Sequence, residues 1–231
     1  MFVAVGFNQL DIVKDGLVML LDANDKSSYR GTGTVWTDLS KGGNNGTLTN
    51  GPTFSSTNGG AIVFNGSNNY INCGTNLSFT TTGFSICAWV YPTSATSYRT
   101  VFNKGDGTSA AGSQYELMAS FAGSNKFQFD VFIGGTRTDT VSPSTYTLNR
   151  WHYVCGTRSG SLNTLYENGA STKTVTIAGT LNTTANTTKI GIAGATLPFA
   201  GNIAVAQIYN RALTAAEVLQ NYASAKSRFG L

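Results

Sequence analysis

Short apolar runs separated by turn residues are the feature that most constrains this chain of 231 residues. The runs are strand-sized, and Gly, Asn, Ser and Thr interrupt them about every 8–12 residues, a spacing typical of an antiparallel sandwich. Residues 84–91 include apolar residues at both odd and even positions, which indicates a strand between two packed layers. In residues 126–133 the alternating Phe127, Phe129 and Val131 would share one face.

Two turn-rich loops predict β-hairpins. Residues 65–69, Asn-Gly-Ser-Asn-Asn, separate apolar runs at 61–64 and 70–73. Residues 159–161, Ser-Gly-Ser, separate another pair of runs in the same way.

The C-terminal region has a different pattern. Thr214 and Glu217 have the spacing of a capping box, in which each side chain bonds the other residue's backbone N–H. Val218, Leu219 and Tyr222 follow at helical spacing. We therefore expect one short helix at the end of an all-β domain.

Composition excludes several classes of protein. Charged residues make up 11% of the chain and aromatic residues 11%, whereas disordered chains are rich in charge and poor in aromatics. No run of about 18 apolar residues predicts a membrane span. Lys and Arg are scattered, so nucleic-acid binding is not expected despite the net charge of +4. The first residues lack a basic segment followed by an apolar one, so no signal peptide is predicted.

Three cysteines, Cys73, Cys87 and Cys155, give an odd count at wide spacing. That pattern argues against a disulfide framework and against a zinc site. Cys87 and Cys155 lie inside apolar runs, where a free thiol behaves as a small hydrophobic group. We expect free thiols, with one disulfide left open as the alternative.

Several motifs occur in an order that is familiar from one protein family. The motifs are Gly-Leu-Val-Met-Leu-Leu-Asp-Ala at 16–23, Trp-Thr-Asp-Leu-Ser at 36–40, Asn-Asn-Gly-Thr-Leu at 44–48, Phe-Asn-Gly-Ser-Asn-Asn-Tyr at 64–70, Phe-Ser-Ile-Cys-Ala-Trp-Val at 84–90 and Gly-Asn-Ile-Ala-Val-Ala-Gln-Ile-Tyr-Asn-Arg at 201–211. Through them the chain resembles the laminin-G-like branch of the concanavalin A-like lectin/glucanase superfamily. The resemblance implies a two-sheet antiparallel jelly-roll sandwich over residues 16–231, with its first strand beside its last.

Residues 1–15 would then lie outside the sandwich as an N-terminal arm. Phe2, Val3, Val5 and Phe7 make this arm apolar. It would either dock on another subunit or add a strand to the domain's own sheet.

Paired catalytic acids are not evident in the sequence. Glucanases of the resembled superfamily place closely spaced acids on one strand, as a retaining mechanism requires. Here Glu116, Glu167 and Glu217 are isolated, and Asp130 is the best lone candidate, with its partner missing. We expect no enzyme, Asp130 being an outward-facing strand residue; a degenerate glycosidase would depend on Asp130.

Loop residues that combine aromatic and hydrogen-bonding groups are the candidates for carbohydrate recognition. They are Tyr98, Arg99, Asn103, Asp106 and Arg137. Each would lie on the rim of a ligand site on the sandwich.

A structural calcium ion is the candidate cofactor, through family-like positions at Asp22, Asp38 and Asn45. Calcium needs six to eight oxygen ligands, usually including several carboxylates. Ala204 and the amides of residues 65–69 stand where relatives often have Asp, which argues against this site.

The resemblance extends to domains of bacteriophage structural proteins. It predicts a non-enzymatic virion protein of a tail fibre, tail tip or capsid surface, assembled in the host cytoplasm. Its partners would be host glycans or neighbouring virion proteins. The chain itself would form a homo-oligomer, such as a trimer. The alternative is a carbohydrate-binding lectin module of a bacterial surface or secreted protein.

Overall fold

The computed structural model describes residues 11–80, 83–107, 109–194 and 196–231. Its strands are β1 (Leu17–Asp22), β2 (Val35–Trp36), β3 (Gly46–Thr49), β4 (Thr53–Ser55), β5 (Ala61–Asn65), β6 (Tyr70–Asn72), β7 (Gly83–Pro92), β8 (Arg99–Lys104), β9 (Tyr115–Ser120), β10 (Gln128–Ile133), β11 (Thr136–Val141), β12 (His152–Ser159), β13 (Leu162–Glu167), β14 (Ala170–Thr176), β15 (Thr188–Ile190), β16 (Ile192–Ala193), β17 (Leu197–Pro198) and β18 (Ala200–Tyr209). One α-helix, α1, runs from Ala215 to Ala225, and 3-10 turns span Thr57–Gly59 and Lys226–Phe229.

Two antiparallel sheets of eight strands form a sandwich, which confirms the predicted fold class. Sheet A has the order β14-β13-β12-β7-β18-β5-β4, and β1 also pairs with β18. Sheet B has the order β11-β10-β9-β8-β15-β6-β3-β2. The first strand therefore lies beside the last, as the resemblance implied.

The core lies between the inner faces of the two sheets. Phe127, Phe129 and Val131 point into it together, as their alternation predicted. Strand β7 is buried on both faces: Ile86 faces this core, and Trp89 faces a second cluster under the C-terminal segment. The ring of Phe229 stacks on Trp89 at 4.2 Å between centroids. The C-terminal segment thus covers part of the outer face of sheet A.

One predicted hairpin is confirmed and the other is wrong. Strands β12 and β13 pair around the turn at residues 160–161. Strands β5 and β6 do not pair, because β5 joins β4 and β18 in sheet A while β6 joins β3 and β15 in sheet B. The intervening loop is a crossover, and the Asn69 Oδ1 atom accepts from the Asn65 N–H at 2.9 Å within it.

The predicted capping box is confirmed. The Glu217 N–H donates to the Thr214 hydroxyl at 3.3 Å, and the Thr214 N–H donates to Glu217 Oε2 at 2.8 Å. Val218 is buried, whereas Leu219 is half exposed. No helix in the described part of the chain is long and apolar enough to cross a membrane.

Cys87 and Cys155 form a disulfide, so the prediction of free thiols is wrong for this pair. The two residues are direct cross-strand partners on β7 and β12, with Cα atoms 4.0 Å apart. The sequence did not show that the two cysteines are neighbours, because they are 68 positions apart. Cys73 is a buried free thiol, as expected.

The predicted N-terminal arm falls mostly on residues 1–10, outside the described residues. Its last part packs against this chain's own C-terminal elements. The Val13 N–H donates to Asn221 Oδ1 at 2.8 Å, and the Val13 carbonyl accepts from the Tyr209 hydroxyl at 3.0 Å.

Candidate functional site

A row of polar residues crosses the outer face of sheet B at right angles to its strands. Each member is the direct register partner of the next: Asp139 on β11, Asp130 on β10, Glu116 on β9, Asn103 on β8, Lys189 on β15 and Asn72 on β6. Their neighbours along the strands, such as Leu117, Phe129 and Ile190, point into the core. With a strand spacing of about 4.8 Å, this polar row is roughly 24 Å long.

A groove of about 440 Å³ lies over one half of the polar row. Its floor is formed by Asn103, Glu116 and Phe132, and the edge strand contributes Arg137 and Asp139. The loop between β8 and β9 borders it at Gly107, Ser109 and Ser113, and Leu197 closes one side. The groove is therefore concave and lined by polar groups together with three apolar side chains, those of Ala110, Phe132 and Leu197.

Asn103 has no hydrogen-bond partner for its side chain within the described residues. It is 1% exposed, and neither Nδ2 nor Oδ1 has a partner there. A buried amide without partners costs about 1–3 kcal/mol per unsatisfied group. At the floor of the groove the Asn103 amide therefore has a donor group, Nδ2, and an acceptor, Oδ1, that no described residue satisfies.

Glu116 and Asp130 place two carboxyl groups side by side beneath the groove, which corrects the expectation that Asp130 lacks a partner. Burial raises the pKa of Glu116 to about 7, and the hydrogen bond from Thr100 opposes this rise. Burial, and then the neighbouring Glu116, raise the pKa of Asp130 well above its usual range. Both oxygens of Asp130 accept from the Gln128 amide, at 2.8 and 3.0 Å. Asp130 faces outward as predicted, yet its side chain is fully buried.

Arg137 supplies the positive charge at this end of the row. Its Nε atom lies 2.9 Å from Asp139 Oδ1 and 3.9 Å from Asp130 Oδ2. Its guanidinium carbon stands 4.2 Å from the centre of the Phe121 ring, as in a cation–π contact. The Tyr98 ring meets Phe121 edge-on, with centroids 4.8 Å apart. Tyr98, Phe121 and Arg137 together form an aromatic ridge near the groove.

The structure brings three of the five predicted rim residues together. Asn103 and Arg137 line the groove, and Tyr98 belongs to the aromatic ridge. Asp106 instead braces the bordering loop, since its carboxylate accepts from the Ser109 N–H and hydroxyl, each at 2.9 Å.

Arg99 has a supporting position. Its guanidinium donates to the Pro198 carbonyl at 2.9 Å and to the Thr96 hydroxyl at 2.9 Å. These bonds tie two loops to the end of β8 and leave the groove to other side chains.

Sequence reasoning missed Glu116 and Phe121 as site residues. Glu116 appears isolated because its partner comes from the next strand. Phe121 could have been noticed, since it is an aromatic residue directly after a strand and before the turn at residues 122–123.

The three predicted calcium ligands do not fit a calcium ion. The Asp38 carboxylate already accepts from the N–H groups of Leu20, Ser40 and Asn44 and from the Ser40 hydroxyl. Asn45 Oδ1 accepts from the Asp38 N–H at 2.8 Å.

Asp22, the third predicted ligand, pairs with Arg228 at 2.8 Å. The side-chain oxygens of Asp38 and Asn45 therefore accept hydrogen bonds within loops, and Asp22 forms an ion pair with the C-terminal segment. Among the described residues no group of three or more His, Cys, Asp or Glu side chains is arranged to hold a metal ion.

Comparison with known proteins places this geometry in context. Residues 65–219 match a laminin G family described as the concanavalin A-like lectin/glucanases superfamily. No curated protein matches the chain. Domain 4 of AbnA, an extracellular arabinanase from Geobacillus stearothermophilus solved in complex with arabinotriose, aligns with a TM-score of 0.71 at 17% identity, over 91% of this chain and 100% of that domain.

Two toxin domains share the same fold. The binding domain of Paraclostridial Mosquitocidal Protein 1 aligns with a TM-score of 0.70 at 18% identity, over 90% of this chain and 52% of that chain. The binding domain of botulinum neurotoxin serotype G aligns with a TM-score of 0.66 at 19% identity, over 89% of this chain and 50% of that chain. The chain thus spans about half the length of each toxin domain, and at these identities the likeness is one of fold.

Proposed function

The chain belongs to the concanavalin A-like lectin/glucanase superfamily, and from that membership we propose that it is a non-catalytic module that binds an extended glycan along the polar row of sheet B. The groove over Asn103 and Glu116 is the main contact. The aromatic ridge of Tyr98, Phe121 and Arg137 offers a surface for a sugar ring beyond it.

The unpartnered amide of Asn103 is the observation that carries this proposal. A pair of neighbouring sugar hydroxyls supplies one acceptor for Nδ2 and one donor for Oδ1. Glu116, next to it on β9, adds an acceptor when ionised and a donor when protonated. Hydroxyl groups therefore satisfy a site that the protein alone leaves incomplete.

The length of the polar row supports a chain-like ligand over a single sugar. Asn103 lies near the middle of the row, with Lys189 and Asn72 continuing it beyond the groove. A row of roughly 24 Å has room for several consecutive rings. The arabinotriose in the similar arabinanase domain is consistent with this kind of ligand.

A binding role fits the acids better than hydrolysis does. A glycosidase needs both carboxyl groups at the scissile bond. The Asp130 side chain is fully buried, and the Gln128 amide occupies both of its oxygens. Asp130 is also not among the residues that line the groove, so it does not reach a substrate there.

The proposal includes display on a phage virion, in a tail fibre, tail tip or capsid surface, as a homo-oligomer, such as a trimer, that contacts host glycans or neighbouring virion proteins. Its support is the series Leu-Asp-Ala at 21–23, Trp-Thr-Asp-Leu-Ser at 36–40 and Asn-Asn-Gly-Thr-Leu at 44–48, which resembles domains of bacteriophage structural proteins. The alternative is a lectin module on a bacterial surface or secreted protein. The Cys87–Cys155 disulfide suits a secreted protein directly, and suits a virion protein only after release from the reducing host cytoplasm. Cryo-electron microscopy of the particle, with mass photometry of the purified chain, distinguishes them.

A glycan array followed by calorimetry tests the binding role. We expect binding to oligosaccharides in preference to monosaccharides, and a loss of about tenfold or more in affinity for Asn103→Leu. Ser171→Ala, an exposed position on β14 of sheet A, is the matched control and should bind as the parent chain does. Unchanged affinity in Asn103→Leu would place the site elsewhere, and release of reducing sugar from a bound oligosaccharide would contradict the non-catalytic role.

A further inference from the structure

A buried arginine lines a second cavity, which shares no lining residue with the groove on sheet B. Arg158 lies near the end of β12 in sheet A and is 3% exposed. The cavity above it has a volume of about 260 Å³. Thr80, Gly160, Ser161, Gly179, Thr180 and Leu181 surround it.

Arg158 has no anionic partner among the residues that the structure describes. Its Nη1 atom donates to Asn163 Oδ1 at 2.8 Å, and Nη2 donates to the carbonyls of Ile177 and Gly179 at 3.2 and 3.1 Å. All three acceptors are neutral. None of the ion pairs among the described residues includes Arg158, although all eleven acids of the chain lie in the described ranges.

An unpaired buried cation is unusual because removing a charge from water costs several kcal/mol unless an opposite charge compensates. Burial lowers the pKa of Arg158, with no carboxylate to oppose the effect. Arg211 and Arg228, in contrast, pair with Glu217 and Asp22. The positive charge at Arg158 is therefore uncompensated within the protein itself.

The guanidinium also retains donors for a ligand. It carries five N–H groups, of which three have the acceptors named above within the described residues. The cavity borders Arg158 directly, and the hydroxyl-bearing residues Thr80, Ser161 and Thr180 also line it. A volume of about 260 Å³ lies below the range of roughly 300–1,000 Å³ typical of sites for larger organic ligands.

We propose that this cavity binds a compact oxyanion, a sulfate or phosphate group, either free or as an ester on a larger molecule. The anion supplies the missing negative charge and accepts from the remaining guanidinium N–H groups, a geometry that favours arginine over lysine. The site is separate from the groove on sheet B, so it does not depend on glycan binding there.

Titration of the whole chain with sodium sulfate, and separately with inorganic phosphate, tests this site. The readout is the NMR signal of each arginine Nε–Hε group, at constant ionic strength balanced with chloride. We expect a saturable shift of the Arg158 signal and none for the exposed Arg150. Arg158→Met should weaken sulfate binding about tenfold or more, while the control Arg150→Met should not.

The wild-type titration decides the question even where Arg158→Met is poorly folded. A shift of Arg158 that is linear in sulfate, or equal to that of Arg150, would overturn the proposal. A sulfated monosaccharide compared with inorganic sulfate distinguishes the two sources: tighter binding of the ester indicates a larger ligand, and equal binding indicates a free anion.

Discussion

Glu116 on β9 and Asp130 on β10 stand directly opposite each other in the register of sheet B, so that two buried carboxyl groups share one environment. Glu116 disfavours ionisation of Asp130, because like charges repel in a poorly hydrated site. Arg137, 3.9 Å from Asp130, opposes this effect only in part. The pair therefore makes both stability and ligand binding sensitive to pH.

Glu116→Gln should stabilise the protein at neutral and alkaline pH. Burial raises the pKa of Glu116 from 4.5 to about 7, so the folded state holds a proton that the unfolded chain releases. The free energy of unfolding thus falls as pH rises from 4.5 through 7, by about 3 kcal/mol for this group. Urea denaturation at pH 4, 5.5, 7 and 8 measures the difference. Parallel pH profiles for the variant and the parent chain would refute it.

Arg137→Met should raise the pKa of Glu116 further, since the guanidinium lowers it in the parent chain. The carboxyl carbon signal of Glu116, followed by NMR across pH 5–9, reports the change. Lys173→Met, an exposed lysine on β14 of the other sheet, is the control and should leave the titration unchanged. A titration curve identical in all three chains would exclude the assigned role of Arg137.

Asn103→Leu should increase stability while it weakens glycan binding. Leucine has a similar size and removes two buried polar atoms that have no partners in the described structure, so we expect a gain of about 1 kcal/mol in the free energy of unfolding. Asn163→Leu is the contrasting variant: its Oδ1 atom accepts from Arg158, and its loss should destabilise the fold. Equal destabilisation by both substitutions, in urea denaturation, would show that Asn103 has a structural role.

Reduction of the Cys87–Cys155 disulfide should lower the free energy of unfolding by about 4 kcal/mol on the chain-entropy model, since the bond closes a loop of 68 positions. Denaturation of the parent chain with and without reductant measures this without creating a cavity. Mass spectrometry of alkylated protein verifies the oxidation state. An unchanged midpoint after confirmed reduction would contradict the expectation.

Glu217→Gln should destabilise the C-terminal helix above pH 4.5. The hydrogen bond from Arg211, followed by those from Thr214, lowers the pKa of Glu217 from 4.5 to about 2. Its stabilising contribution is therefore complete above pH 4.5 and is lost as pH falls through about 2. Thermal unfolding of the variant and the parent chain at pH 7 measures this contribution when it is complete, and the same comparison at pH 2 measures it when it is largely lost. If Glu217→Gln were as much less stable than the parent chain at pH 2 as at pH 7, the loss of stability would come from packing and not from the charge of Glu217.

Local patterns predicted the elements whose determinants lie close together in sequence. The capping box of Thr214 and Glu217 and the alternating Phe127 and Phe129 are of this kind, because their spacing directly fixes which groups meet. The resemblance then supplied the sandwich and the pairing of its first and last strands. The register between strands was not available from either source.

The site was only partly predictable for the same reason. Asn103 and Arg137 stood out by residue type, but their alignment with Glu116 and Asp130 arises from pairing across four strands. The hairpin predicted at residues 65–69 failed because a turn-rich loop can also pass from one sheet to the other. Asp22 was assigned to calcium before its partner Arg228, 206 positions away, could be known.

Because of the register of the polar row, selection for ligand recognition and selection for folding act on different residues. Each of its strands places one polar residue on the outer face of sheet B, while the adjacent residues of the same strand pack in the core. Exchange of row residues, one strand at a time, would retune ligand preference without repacking the interior. A one-residue insertion within any of these strands would instead turn a core side chain outward. Selection for recognition and selection for folding thus act on alternate residues of the same six strands.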